Sequence, residues 1–234
     1  MKISPEDKAR IAQAVAEAEA STAGEISCVL APSVGDYRET PLFWASAAAL
    51  IIPAAALLLG FKPQALATMF GGWSVGHAAD VDATIFSALT TYIGLQAAIF
   101  VAVALIVSLP PVRRMLTPGA RKAEMTHRAA VAQFQALGLA NTRGRTGILI
   151  FAAAAEHRAE VIADEGIFSK APQAVWDEVV GLLIEGLKHD KAGDGFVAAV
   201  RRAGQILAEH VPPDADNPNE TPDDLVILTK GPRK

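Results

Sequence analysis

The sequence predicts an α/β domain, a small mixed sheet covered by helices, interrupted by a two-helix transmembrane insertion. Three observations predict it. "EISCVLA" (25–31) reads as a core strand, yet nothing resembling a partner strand follows for about eighty residues. Two uncharged, membrane-length apolar runs fill that interval. Beyond them, "GILIFAAAAEHRAEVIAD" reads as a hairpin able to supply the missing neighbours. A lone strand cannot satisfy its backbone N–H and C=O groups, so the sheet is expected to form across the insertion.

The 234 residues suffice for one domain and an appended element, and the hydrophobic content of 51% is concentrated in the middle of the chain. The formal net charge of −4 gives no overall basic excess, which argues against a nucleic-acid partner. The single cysteine, Cys28, excludes an internal disulfide framework and a multi-cysteine zinc site. Its place in an apolar strand makes it a small buried hydrophobe. The charged N-terminus "MKISPEDKAR" lacks the apolar core of a signal peptide, so membrane targeting is expected to rest on the internal runs.

Taken in order, residues 1–38 form the first part of the domain. Ser4 caps a helix that has Pro5 at its first position and Asp7 three residues after the cap. Its stripe is Ile11, Val15 and Ala18, and Gly24 ends it. The strand 25–31 follows, with Ile26, Cys28 and Leu30 on one face. Residues 39–114 hold two spans, about 41–61 and 86–109, since about 20 helical residues rise about 30 Å, the thickness of the hydrocarbon layer. Pro53 lies mid-span and predicts a kink. Lys2, Lys8, Arg10 and Arg38 precede the first span, and Arg113, Arg114, Arg121, Lys122 and Arg128 follow the second. The connecting loop has only Lys62, so both termini are expected on the cytoplasmic side. Phe70 and Trp73 in that loop suit the headgroup interface, and His77 near Asp80 and Asp82 reads as part of a solvated loop.

Residues 115–211 complete the domain. A helix opens at Thr117-Pro118 with Met125, Ala129, Ala132 and Phe134 as its stripe. The hairpin pairs Ile148–Ala154 with Ala159–Asp164, and its turn carries His157 as a solvated tip. Two further helices place Trp176, Val180, Leu183 and Leu187, then Phe196, Val200, Ala203 and Leu207, at helical spacing. The Pro-rich acidic tail 212–234 reads as a flexible strap, with "LVIL" as a weak edge strand.

"RTGILIF", the "EHR" turn leading into "VIADEGI", and "GDGFVAAV" together resemble the TPM-domain family, in its bacterial membrane-protein branch. The likeness covers about 120–228 well and 4–31 more loosely. It implies an α/β sandwich, and it implies divalent-metal binding, phosphatase-like activity or a non-catalytic part in assembling membrane complexes. It also places acids at Asp164 and Asp194. With Glu165 these form a candidate site for Ca2+ or Mg2+, both of which take hard oxygen ligands. The other readings are an N-cap for Asp194 and a polar, solvated strand end for Asp164. Arg143 and Arg145 are candidate contacts for an anion or a partner.

No Gly-rich phosphate loop, Cys-x5-Arg arrangement or GxSxG elbow is present, and no catalytic residue is assigned. The expected function is therefore a membrane-anchored binding or assembly module on the cytoplasmic face of the bacterial inner membrane. Its partners would be the lipid bilayer and another membrane protein or complex. A metal-assisted phosphatase is the alternative. A small transport subunit is a second alternative, disfavoured because neither span carries an ionisable residue.

Overall fold

A computed structural model of the chain describes residues 3–60, 81–142, 144–168, 170–213 and 219–229. The first helix, α1 (Pro5–Glu19), starts with the expected capping box: the Asp7 amide donates to Ser4 Oγ at 3.0 Å, and Asp7 Oδ2 accepts from the Ser4 amide at 3.1 Å. Strand β1 (Glu25–Ala31) follows, then helices α2 (Glu39–Leu58), α3 (Val81–Ser108), α4 (Pro110–Leu116) and α5 (Gly119–Ala136). Strands β2 (Gly147–Ala153) and β3 (Arg158–Ala163) form the hairpin. The short α6 (Glu165–Phe168), then α7 (Gln173–Lys188), α8 (Ala192–His210) and strand β4 (Val226–Ile227) complete the chain.

The sheet order is β3-β2-β1-β4, with β1 parallel to β2 and to β4, and β3 antiparallel to β2. Ser27 lies opposite Leu149 and Cys28 opposite Ile150, so the strand before the insertion is zipped to the first strand after it. All seven residues of β1 and of β2 are buried, because both faces of these strands are covered. Ile26, Cys28, Leu30, Ile148 and Ile150 pack on one face with residues of α1, α7 and α8. Val29, Ala31, Leu149 and Phe151 pack on the other with Ala130, Phe134 and Leu139. The domain is thus three layers, helices on either side of a mixed sheet.

Small residues set the spacing of the helical layer. A Cβ on Gly204 would fall 2.6 Å from the Cβ of Ala18, where α8 crosses α1. A Cβ on Gly186 would fall 2.6 Å from the Cα of Gly195, where α7 meets α8.

Several expectations shift by a residue or more. The buried stripe of α5 is Thr126, Ala130 and Phe134, in place of Met125, Ala129 and Ala132. The helix turns the face one position beyond the expected one toward the sheet, and Ala132 is left exposed. In α7 the buried position is Val179, with Val180 half-buried. The tail is not a separate strap over its described part. Val29 pairs with Val226, and the Leu228 amide donates to the Leu30 carbonyl at 3.0 Å. This covers the edge of β1 that the hairpin leaves open.

The chain divides into two compact units, residues 1–36 with 119–234, and residues 37–118. In the second unit α2 and α3 pack together and are joined by α4. Glu39–Leu58 and Ala88–Ser108 are long and apolar enough to cross a membrane. Only 22% and 6% of these stretches are buried, which sets them apart from core helices of a soluble protein. The first starts at Glu39 and ends at Leu58, and Pro53 sits inside it without ending the helix. The second stops at Ser108 because Leu109 is extended ahead of Pro110, as a residue before proline tends to be. Phe70, Trp73 and His77 lie outside the described residues.

If Gly204 sets the α1–α8 spacing, Gly204→Val forces these helices apart. Thermal unfolding of the detergent-purified chain is expected to show a loss of about 1–3 kcal/mol, while Gly94→Val, whose Cβ meets nothing within 4 Å, leaves the transition in place.

Candidate functional site

The strongest site lies where the loop into β2 meets the end of β3. After Gly138 in the left-handed region, the turn Leu139–Asn141 leads to Thr142, whose hydroxyl donates to the Leu139 carbonyl and accepts from the Thr146 amide. Gly144 and Arg145 are both left-handed, at φ of 85° and 55°. Glycine adopts that conformation freely; for arginine it costs roughly 1 kcal/mol or more and is held by the surroundings. Here the Arg145 amide donates to the Thr142 carbonyl at 3.0 Å, and the Thr146 hydroxyl donates to the Ala23 carbonyl at 2.9 Å. The loop is thereby tied to the entry of β1.

Opposite it, β3 ends at Ala163, and the Asp164 amide donates to the Gly147 carbonyl at 2.9 Å. Asp164 Oδ1 accepts from the amide of Glu165, the first residue of the short α6, at 2.6 Å. Gly166 presses against the loop: a Cβ there would come 2.6 Å from the Arg145 carbonyl oxygen. This close approach brings the Arg145 guanidinium onto both acids, Nη2 at 3.1 Å from Asp164 Oδ1 and Nη1 at 3.2 Å from Glu165 Oε2.

The Asp164 side chain is 5% exposed, so it is not the solvated strand end that its position after a polar strand suggested. Burial follows from its two backbone bonds, which pull it beneath the loop. Its Oδ2 is buried without a hydrogen-bond partner, a costly arrangement for a carboxylate oxygen. Glu165 is largely exposed.

Of the residues read from the sequence, then, Asp164, Glu165 and Arg145 come together. Arg143 lies outside the described residues. Asp194 is elsewhere, in the first turn of α8, and is not the N-cap, which is Lys191. Its Oδ1 accepts from Arg10 Nη1 at 2.8 Å, and Arg10 also reaches Asp7 Oδ1 at 2.5 Å. The Asp7 carboxyl is held below the usual range by Arg10 and then by Ser4. Asp194 also borders a shallow cavity of about 430 Å³ with Leu182, Glu185 and His189. Among the described residues no three His, Cys, Asp or Glu side chains gather as metal ligands. The pair Asp164–Glu165 fits a cation only in competition with Arg145, which already supplies the positive charge.

The remaining candidates settle as packing or surface. Cys28 is fully buried, and burial pushes its thiol up, away from reactivity. Trp176 is in the core, and His157 is an exposed turn residue at φ 47°.

One cluster gave no sequence signal. Glu25 begins β1 and is 3% exposed; its Oε2 accepts from the Thr221 amide at 3.1 Å and from the Thr221 hydroxyl at 2.9 Å. Close by, Glu19 Oε1 accepts from the Ile26 amide at 2.7 Å. Burial pushes the Glu19 carboxyl up to about 8, opposed by that hydrogen bond and aided by the charges of Glu25 and Asp223. A strand-end glutamate and an acidic tail read as solvated, and only the fold joins them.

No family model matches the sequence, and no curated protein matches it. Among solved structures, the chain is similar to the NMR structure of the BA42 protein from the psychrophilic bacterium Bizionia argentinensis. The identity is 16%, the match covers 97% of each chain, and the TM-score is 0.54. At that identity the likeness speaks for the fold alone.

Two outcomes are expected. Arg145→Ala strands the buried Asp164 carboxylate and lowers unfolding stability by roughly 1–3 kcal/mol, and adding Asp164→Asn recovers part of the loss; denaturant titration of both variants checks this. Glu19 holds its proton more tightly folded than unfolded, so its contribution falls as pH rises from about 4.5 to about 8 and is level above. Melting temperatures across that window are expected to decline less in Glu19→Gln than in the native chain.

Proposed function

We propose that the chain is a membrane-anchored binding or assembly module, a TPM-like domain held at the cytoplasmic face of the bacterial inner membrane by α2 and α3. Both termini lie inside, and the partner is another membrane protein or complex. The observation that carries this reading is the exposure of Leu50, Ile51, Leu58, Leu105 and Ile106 along two helices, in a chain whose other unit has its own closed core. Apolar surface of this extent in water marks a membrane or partner contact. Charge asymmetry around the spans supplies the orientation.

A second reading, metal-assisted phosphate-ester hydrolysis, has one observation in its favour, the buried and unpartnered Oδ2 of Asp164. Ca2+ or Mg2+ at Asp164 and Glu165 would need Arg145 to swing aside. The arginine instead makes the acids a closed structural clasp, which favours the binding module.

The two readings separate in one assay on the detergent-purified full chain, using a generic phosphate monoester with Mg2+ or Ca2+. The binding module predicts no turnover above a protein-free blank and no cation-induced rise in melting temperature that depends on Asp164. Hydrolysis abolished by Asp164→Asn would replace it with the enzyme.

A further inference from the structure

The unit with the two apolar helices carries two arginines without a carboxylate partner among the described residues. Helix α3 ends at Ser108, and Pro110 starts the short α4, which places Arg113 and Arg114 in its last turn. This helix is pinned to the start of α2. The Trp44 indole N–H donates to the Leu116 carbonyl at 3.2 Å, and the Thr40 and Thr117 hydroxyls are hydrogen-bonded at 3.1 Å. The Thr117 hydroxyl also donates to the Arg113 carbonyl at 2.8 Å. The short helix that carries the two arginines is therefore held against Trp44, whose ring meets that of Phe43 edge to face at 5.6 Å.

Four other arginines have acidic partners: Arg10 with Asp194, Arg128 with Glu124, Arg145 with Asp164, Arg202 with Glu178. None of the described carboxylates pairs with Arg113 or Arg114, and Arg113 Nε is buried with no acceptor. In the same unit Phe43, Leu109 and Met115 are exposed, the last at 83%. Exposed apolar side chains, an indole and guanidiniums without a carboxylate partner, gathered on α4 and the start of α2, suit a bilayer interface, where acyl chains adjoin phosphates. A guanidinium presents several N–H donors suited to a phosphate oxygen pair.

We propose that Arg113 and Arg114, with Trp44 and Phe43, form a headgroup site for an anionic phospholipid, the phosphate bound by the guanidiniums and the acyl chains lying along the apolar helices. This inference rests on the membrane reading of α2 and α3. It adds a preference for negatively charged lipid that span length and hydropathy alone do not require.

The full chain, reconstituted into vesicles of phosphatidylcholine with and without phosphatidylglycerol, is floated on a density gradient. Lipid that stays with the detergent-extracted protein is then weighed by native mass spectrometry. Phosphatidylglycerol is expected to be enriched over phosphatidylcholine, and Arg113→Gln with Arg114→Gln to reduce that enrichment about tenfold or more. A control that removes the paired arginines Arg128 and Arg202 subtracts the same charge and is expected to retain the enrichment. Should the double variant not fold, each single substitution is expected to lower the enrichment by itself. Flotation with no lipid preference, or equal loss in variant and control, overturns the headgroup site alone. Failure to float with either vesicle overturns it together with the membrane reading.

Discussion

The pairing of β1 with strands from the far side of an apolar insertion is the constraint on which the rest depends. β1 is buried on both faces and bonded along both edges, by β2 and by β4. Its backbone groups have no recourse to water, so each must find a partner within the protein, in the sheet or, for the Ile26 amide, at the Glu19 carboxyl. Neither partner exists until residues well beyond the insertion join the fold. The closure this requires is tolerable, because loop entropy grows slowly, roughly 0.6 kcal/mol for each doubling of length. At the hairpin-turn end of the sheet, the Gly119 carbonyl accepts from Arg158 at the start of β3. The clasp of Arg145 on Asp164 and Glu165 occupies the opposite end.

That geometry distinguishes two uses of positive charge. Arg145 is spent internally: it holds a buried carboxylate in place and closes the corner where loop, strand and short helix converge. Among the described residues no carboxylate pairs with Arg113 or Arg114 in this way. Between them lies the difference between a structural ion pair, which fixes a fold, and unpaired cations at an apolar boundary, which seek an external anion. The Glu25–Thr221 bonds add a third device, a buried carboxylate that fastens the acidic tail across the start of β1. That tether carries the chain into β4.

Periodicity carried most of the architecture. The capping box at Ser4 and Asp7, the strand 25–31, the hairpin and the stripe Phe196, Val200, Ala203 and Leu207 were all legible, since each is a local pattern with one dominant solution. The face of α5 was not, because an alanine-rich helix offers several nearly equal stripes. "ARKAEMTHRAAVAQFQA" admits rotation by one residue with little change in apolar content, and the fit of Thr126, Ala130 and Phe134 to the sheet decides between them. The candidate site was half legible. Asp164, Glu165 and Arg145 stood out as polar residues beside a strand, but the burial of Asp164 depends on the bond its amide donates to the Gly147 carbonyl, which no sequence pattern encodes. Asp194 looked like a cap because it precedes an apolar run, while the helix begins earlier, at Ala192, and turns that aspartate toward Arg10.

Hydrogen exchange of the full chain in detergent micelles, read by mass spectrometry, tests the central pairing most directly. Amides of 25–31 and 147–153 are expected to exchange slowly and as one cooperative unit, and a cavity placed in β2 by Ile150→Ala should hasten both segments together. Fast exchange across 25–31 while 147–153 stays protected would contradict a sheet built through the insertion.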